Sequence, residues 1–95
     1  MTIEAFSYGS TNRLYVEYVK RSDPYAMTLD HFHSYYEVYY LISGSRVYFV
    51  KDRTYRVEQG DLVFIDKSVV HKTLQGAAPE HERMVVHFTD AWLNE

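Results

Sequence analysis

The chain has 95 residues, 46% of them hydrophobic and 17% aromatic, enough for one domain with a modest core and too few for a second independent unit. Ten Lys and Arg against thirteen Asp and Glu give a formal charge of -3, and the basic residues are scattered, so no phosphate-tracking stripe is expected on this chain itself. The absence of cysteine excludes disulfides and thiolate metal sites, leaving nitrogen and oxygen as the only metal donors. The opening MTIEAFSYGS has neither the basic start nor the apolar run of a signal peptide, and no apolar stretch reaches membrane-spanning length, so a cytoplasmic protein with no membrane partner is expected.

Taken in chain order, most of the sequence reads as short strands rich in Tyr, Val and Phe, separated by turn residues. RLYVEYVK (13–20) alternates Leu14, Val16 and Tyr18 with Tyr15, Glu17 and Val19, and stops at RSDP, whose Pro24 belongs to a loop. HFHSYYEVYYLISGS (31–45) accommodates two short strands or one bent strand closed by the turn residues SGS, with a bend or bulge expected. RVYFV and TYRVE flank KDR (51–53), the spacing of an antiparallel hairpin with Asp52 in its turn and an exposed tip without function. EQGDLVFID places Gly60 and Asp61 in a tight turn ahead of a strand from Leu62 to Ile65. After the DKSVV loop, HKTLQ is a brief strand. RMVVHF (83–88) is the last strand, with Val85 and His87 on one face and Met84, Val86 and Phe88 on the other.

TDAWLNE reads as the start of a helix with Thr89 or Asp90 as N-cap, and Trp92 and Leu93 exposed on it could promote association. A helix that begins so near the end suggests a fragment, so residues 1–95 are expected to form a single domain at the N-terminus of a longer protein. Seven or eight strands suit a small closed barrel or jelly roll.

Residues two apart on a strand project to the same face, so His31, His33 and Glu37 converge if the pleat holds through Tyr35. Two imidazoles and a carboxylate suit one divalent zinc, nickel, manganese or iron ion, with His71 as the candidate fourth ligand. With the metal lost, the same polar groups would hydrogen-bond one another, water or a ligand.

The stretch from His31 to Gly44 resembles the first motif of the cupin superfamily, His-x-His, three residues, Glu, six residues, Gly, lacking only the motif's opening glycine. Gly60 and His71 meet the second motif at the right spacing, although Asp66, Ser68 and Gln75 stand where that motif has Pro, Gly and Asn. The resemblance implies an all-β fold, the cupin-type antiparallel barrel also described as a double-stranded β-helix or jelly roll. Within cupins, YYEVYYLISGSRVYFV, GDLVFID and ERMVVHF followed by a helix start look most like the N-terminal sensor domain of AraC-type transcription regulators. Members of that family bind a small effector in the barrel, often a sugar, form homodimers, and contact DNA through a C-terminal pair of helix-turn-helix motifs that these residues do not encode. The truncated helix fits the place where the family's dimerisation helices begin.

Plainer readings stand beside these. His81 lies in a charged stretch and reads as exposed, while His87 reads as a buried, hydrogen-bonded histidine. Many of the ten tyrosines must be structural; Tyr36 and Tyr40 should face outward, whereas Tyr35 and Tyr39 share the parity of Glu37 and are ligand-stacking candidates. Val47 and Phe49 face inward if odd positions stay inside, an assignment a bulge would reverse.

Two functions follow. The first is a sensor with no catalytic residues, in which a small molecule held by Tyr35, Tyr39, His31, His33, Glu37 and His71 biases an attached DNA-binding domain by population shift. The second is a small metal-dependent cupin enzyme, a dioxygenase or isomerase, using His31, His33, Glu37 and His71 as ligands.

Overall fold

In the computed structural model the described residues are 3–10, 12–22, 34–67 and 69–94. They form strands β1 (Ile3–Gly9), β2 (Leu14–Arg21), β3 (Tyr36–Val50), β4 (Arg53–Glu58), β5 (Leu62–Ile65), β6 (His71–Gln75) and β7 (His81–Phe88), then helix α1 (Asp90–Leu93). The expected all-β cupin-type fold, with a short helix after the last strand, is what the chain adopts. Thr89 is the N-cap, accepting a hydrogen bond from the Trp92 amide. Pro24, His31, His33 and Ser68 lie outside the described residues.

The two sheets share one strand. The first runs β1-β2-β7-β3-β5 and uses the N-terminal half of β3; the second runs β4-β3-β6 and uses the C-terminal half, every pair being antiparallel. The turn expected at residues 43–45 does not form: residues 36–50 are one continuous strand that changes sheets, with the expected bulge in place of the turn. The pairing register with β7 shifts between Leu41 and Ser43, and Gly44 follows with φ +94. A Cβ at Gly44 would meet the Glu80 carbonyl oxygen at 2.4 Å, so only glycine lets β3 cross this close to the start of β7.

The bulge has a consequence for every residue after it. Glu37, Tyr39 and Leu41 point inward at odd positions, but beyond the bulge Arg46 and Tyr48 point inward at even ones. Val47 and Phe49 accordingly leave the interior, correcting the odd-position reading. The hairpin turn falls at Lys51 and Asp52, with Lys51 at φ 57 and the whole tip exposed. The turn before β5 is closed by the Gly60 amide donating to the Leu41 carbonyl at 2.7 Å and by the Asp61 side chain accepting from the Glu58 amide at 2.8 Å.

The core comprises Tyr39, Leu41, Tyr48, Val57, Ile65 and Val85. Leu41 is fully buried, and a leucine in that setting contributes roughly 1.5–3 kcal/mol through apolar burial. Strand β1 went unrecognised in the sequence. Among the described residues it pairs with β2 alone, and its described side chains are exposed, so no burial pattern marks it.

The outer face of the first sheet is apolar across its whole width. Cross-strand partners line up as one row, Tyr8, Val16, Val86, Val38 and Phe64, running over five strands. A second row consists of Phe6, Tyr18, Met84, Tyr40 and Leu62. A shorter third row of Leu14, Phe88 and Tyr36 continues into Trp92, whose ring lies 5.7 Å from that of Phe88. Tyr36 and Tyr40 thus face outward as their parity predicts.

Candidate functional site

Glu37 sits in the N-terminal half of β3 with His87 of β7 and Ile65 of β5 as its cross-strand partners, and only 5% of it is exposed. Tyr48 is eleven residues further on, so a regular strand would aim it at the opposite face. The bulge inverts the parity, and the Tyr48 hydroxyl donates to Glu37 Oε2. His71, the first residue of β6, pairs with Val50 and enters the interior from the second sheet, with Nε2 3.5 Å from Glu37 Oε1. His87 Nε2 donates to the same oxygen at 2.9 Å. One carboxylate thus gathers two imidazoles and a phenol from three strands.

The electrostatics follow from those contacts. Burial alone would push the Glu37 carboxyl up, but hydrogen bonds from His71, His87 and Tyr48 outweigh it and hold the group well below the usual carboxylate range. Glu37 stays ionised at any working pH. Burial likewise drags the His71 imidazolium down, yet its bonds to Glu37 and to the Val69 carbonyl more than offset that, leaving its pKa above the ordinary value. Burial first, and then the Glu37 charge and hydrogen bond, push the Tyr48 phenol up, so Tyr48 remains a donor.

A carbonyl oxygen can only accept, so the 2.8 Å contact between His71 Nδ1 and the Val69 carbonyl places a proton on Nδ1. Nε2 of the neutral ring then carries a bare lone pair aimed at an anionic oxygen. Such an arrangement calls for a positive charge between the two atoms, either the second proton of an imidazolium or a cation. An imidazole nitrogen and a carboxylate oxygen are donors that suit zinc, nickel, manganese or iron(II). Among the described residues no three His, Asp or Glu side chains are placed to share one ion. His31 and His33, the other two residues of the expected ligand set, lie outside the described residues.

Of the other candidates, Tyr35 is half-buried with its ring centroid 4.4 Å from that of His87, and Tyr15 stacks on His87 at 5.8 Å. Tyr39 lies deeper, 2% exposed and edge-on to Tyr48 at 5.0 Å, with the Arg83 guanidinium over its ring. Tyr48 belongs to the cluster and was not legible as such, because its parity depends on the bulge. His87 is hydrogen-bonded as read, its partner being the central carboxylate, but it is partly rather than fully buried, its side chain 15% exposed. His81 corrects an expectation: it is only 3% exposed, since it opens β7 and pairs across to both Arg21 and Gly44.

Comparison with known proteins places these observations in a family. Residues 19–88 match the family described as Cupin domain. No curated protein matches the chain. Among solved structures, an RmlC-like cupin with a double-stranded β-helix fold from Methanocaldococcus jannaschii superposes with a TM-score of 0.79 at 17% identity, covering 99% of this chain and 87% of that one. KdgF from Halomonas sp. gives 0.75 at 17% identity, with 90% and 77% coverage. The DMSP lyase DddQ from Ruegeria pomeroyi gives 0.74 at 17% identity, covering 93% of this chain and 47% of that one. At these identities the likeness establishes the fold alone.

Proposed function

The chain belongs to the cupin family, and from that premise we propose that it is the small-molecule sensor domain of an AraC-type transcription regulator working in the cytoplasm. The observation that carries the reading is the buried cluster itself: Glu37 held ionised by Tyr48, His71 and His87, with the Tyr35 ring tilted against that of His87. A hydroxylated effector such as a sugar or polyol would exchange hydrogen bonds with this carboxylate and these imidazoles and rest its apolar face on tyrosine. The sequence from Tyr35 to Val50 and the short helix after β7, docked through Trp92 on Phe88, support the choice of regulator, in which a homodimer would pass the effector signal to a DNA-binding domain.

The mechanism asks little of these residues beyond binding. Effector affinity must differ between two arrangements of the full protein, and the cluster supplies the polar contacts whose strength changes between them. The test is a panel of small sugars and polyols in thermal unfolding, alongside turnover assays with and without iron(II). A ligand that raises the melting temperature, with no product formed, is the expected result. Steady product formation abolished by His33→Ala would overturn it.

A second reading, a metal-dependent cupin enzyme, is supported by the His71 tautomer, which turns Nε2 towards Glu37 at 3.5 Å. Glu37 and His71 would hold the ion with His31 and His33, and a bound divalent ion supplies Lewis acidity and open coordination positions. Elemental analysis after dialysis against zinc or nickel should find near-stoichiometric metal that His71→Ala loses. A metal-free protein counts against the ion in both readings.

A further inference from the structure

We infer that the end of the barrel where β7 begins is a binding site for a small tetrahedral dianion, phosphate or sulfate, held by Arg21, Arg46, Arg83 and His81. It lies about 20 Å along β7 from the Glu37 and His87 pair, so it belongs to neither function proposed above and stands whichever of them holds. Strand pairing brings the four side chains together. His81 opens β7 between Arg21 on β2 and Gly44 on β3, Arg83 follows two residues later on the same face, and Arg46 comes two residues after Gly44, turned inward by the bulge. Arg46 is 1% and His81 3% exposed, and Arg46 Nη2 donates to Thr73 Oγ1 at 3.3 Å. A guanidinium presents five N–H donors in a planar fork, so the contacts each arginine already makes leave donors for an oxyanion.

Size and charge select the occupant. Beside the cluster is a cavity of about 130 Å³ lined by Lys20, Arg21, Ser22, Ser43, Glu80 and His81. That is well above the roughly 10–15 Å³ one water needs and well below the roughly 300–1,000 Å³ of a pocket for a drug-sized ligand, so a single small ion fits. Among the described residues, Arg21, Arg46, Arg83 and His81 face this end, opposed by Glu17, 2.9 Å from Arg83 Nη2, and by Glu80 on the cavity wall. The neutral Tyr39 ring lies against the Arg83 guanidinium at 5.9 Å, and Lys20 is set against Glu4 and Glu82 across its neighbouring strands. With His81 protonated, four positive charges meet two negative ones, and one dianion balances the remainder. His81 links that balance to pH. Its Nδ1 donates to the Pro79 carbonyl at 3.1 Å, so Nε2 of the neutral ring has only a lone pair, and the imidazolium alone offers an oxyanion a donor there. Burial and the three guanidinium groups hold the His81 pKa below its ordinary value; a dianion among them offsets the repulsion, so binding and protonation reinforce each other.

Isothermal titration calorimetry of the 95-residue chain with sodium sulfate tests the site, at an ionic strength fixed with sodium chloride, because sulfate keeps both charges throughout the pH range used. One ion per chain is expected, with Kd below about 1 mM at about pH 5.5 and roughly threefold weaker by about pH 7.5. Arg21→Gln should weaken binding about tenfold. Arg46→Met reads the same site from its buried side, and the half-buried Arg21 keeps the test available if that variant does not fold. His81→Asn should still bind sulfate, at the weaker level, with the pH dependence gone. Arg53→Gln on the exposed hairpin tip should bind like wild type. No heat beyond dilution up to about 20 mM sulfate overturns the inference, as does binding that survives both Arg21→Gln and Arg46→Met, or that Arg53→Gln weakens equally. A pH dependence that His81→Asn retains overturns it too. So does phenyl phosphate displacing sulfate as well as inorganic phosphate does, which would put the contact on an open surface rather than in the cavity.

Discussion

The barrel interior has two ends, each with a buried histidine, and the two are set oppositely. His71, 1% exposed, faces the Glu37 carboxylate; His81, 3% exposed, faces Arg46, Arg83 and Arg21, with its Nδ1 donating to the Pro79 carbonyl at 3.1 Å. Burial disfavours the charged form of both. At His71 the carboxylate reverses that effect, whereas at His81 the Pro79 carbonyl resists it and the three guanidinium groups reinforce it, leaving the pKa below the ordinary imidazole value. Burial therefore does not decide the charge of a histidine here; its nearest neighbour does. The barrel interior thus holds a carboxylate at the His71 end and guanidinium groups where β7 begins.

The largest way to break this contrast is to remove the anion. Glu37→Gln should cost about 3 kcal/mol in urea unfolding, because it leaves an imidazolium buried without its counter-charge. Tyr48→Phe, which removes one charge-assisted hydrogen bond and keeps the ring, should cost about 2 kcal/mol in the same measurement.

The pH dependence of stability sharpens the comparison. The folded-state pKa of His71 is raised, so its contribution is complete below the unfolded value of about 6.5 and is lost as pH rises through the folded value. That of His81 is lowered, so its contribution is complete above about 6.5 and is lost as pH falls towards the folded value. In chelated buffer, urea midpoints between pH 5 and 8 should show His71→Asn removing a decline on the alkaline side and His81→Asn removing one on the acid side. Slopes that change in the same direction would refute the opposed environments. The smallest effect belongs to the surface: Lys67→Ala breaks an exposed ion pair with Asp90 and should leave the urea midpoint unchanged.

How much of this could be read in advance depended on whether the determinant was local. Strands β2 and β4 to β7, the hairpin at Lys51 and Asp52, and the Thr89 cap are each encoded within a few residues, whereas β3 was read as broken at residues 43–45; the cupin spacing pointed to Glu37 and His71. The bulge between Leu41 and Ser43 is not local: β3 bends there because it must leave one sheet and join another. Tyr48 was missed for that reason. His81 was misjudged because Glu80, Glu82 and Arg83 suggest an exposed loop, whereas its cover comes from Arg21 and Gly44, far away in the chain. The breadth of the apolar outer face became visible only once pairing aligned alternate residues of five strands into rows.

Strand β3 carries a final implication. It pairs with β4, β5, β6 and β7, and half of its length belongs to each sheet. Neither sheet can come apart without stripping bonds from the other's central strand, so the barrel must melt as a single cooperative unit. Assembly carries the matching burden: β3 meets β7 only after some forty intervening residues have been gathered in, which places this domain among slow, topology-limited folders despite its small size.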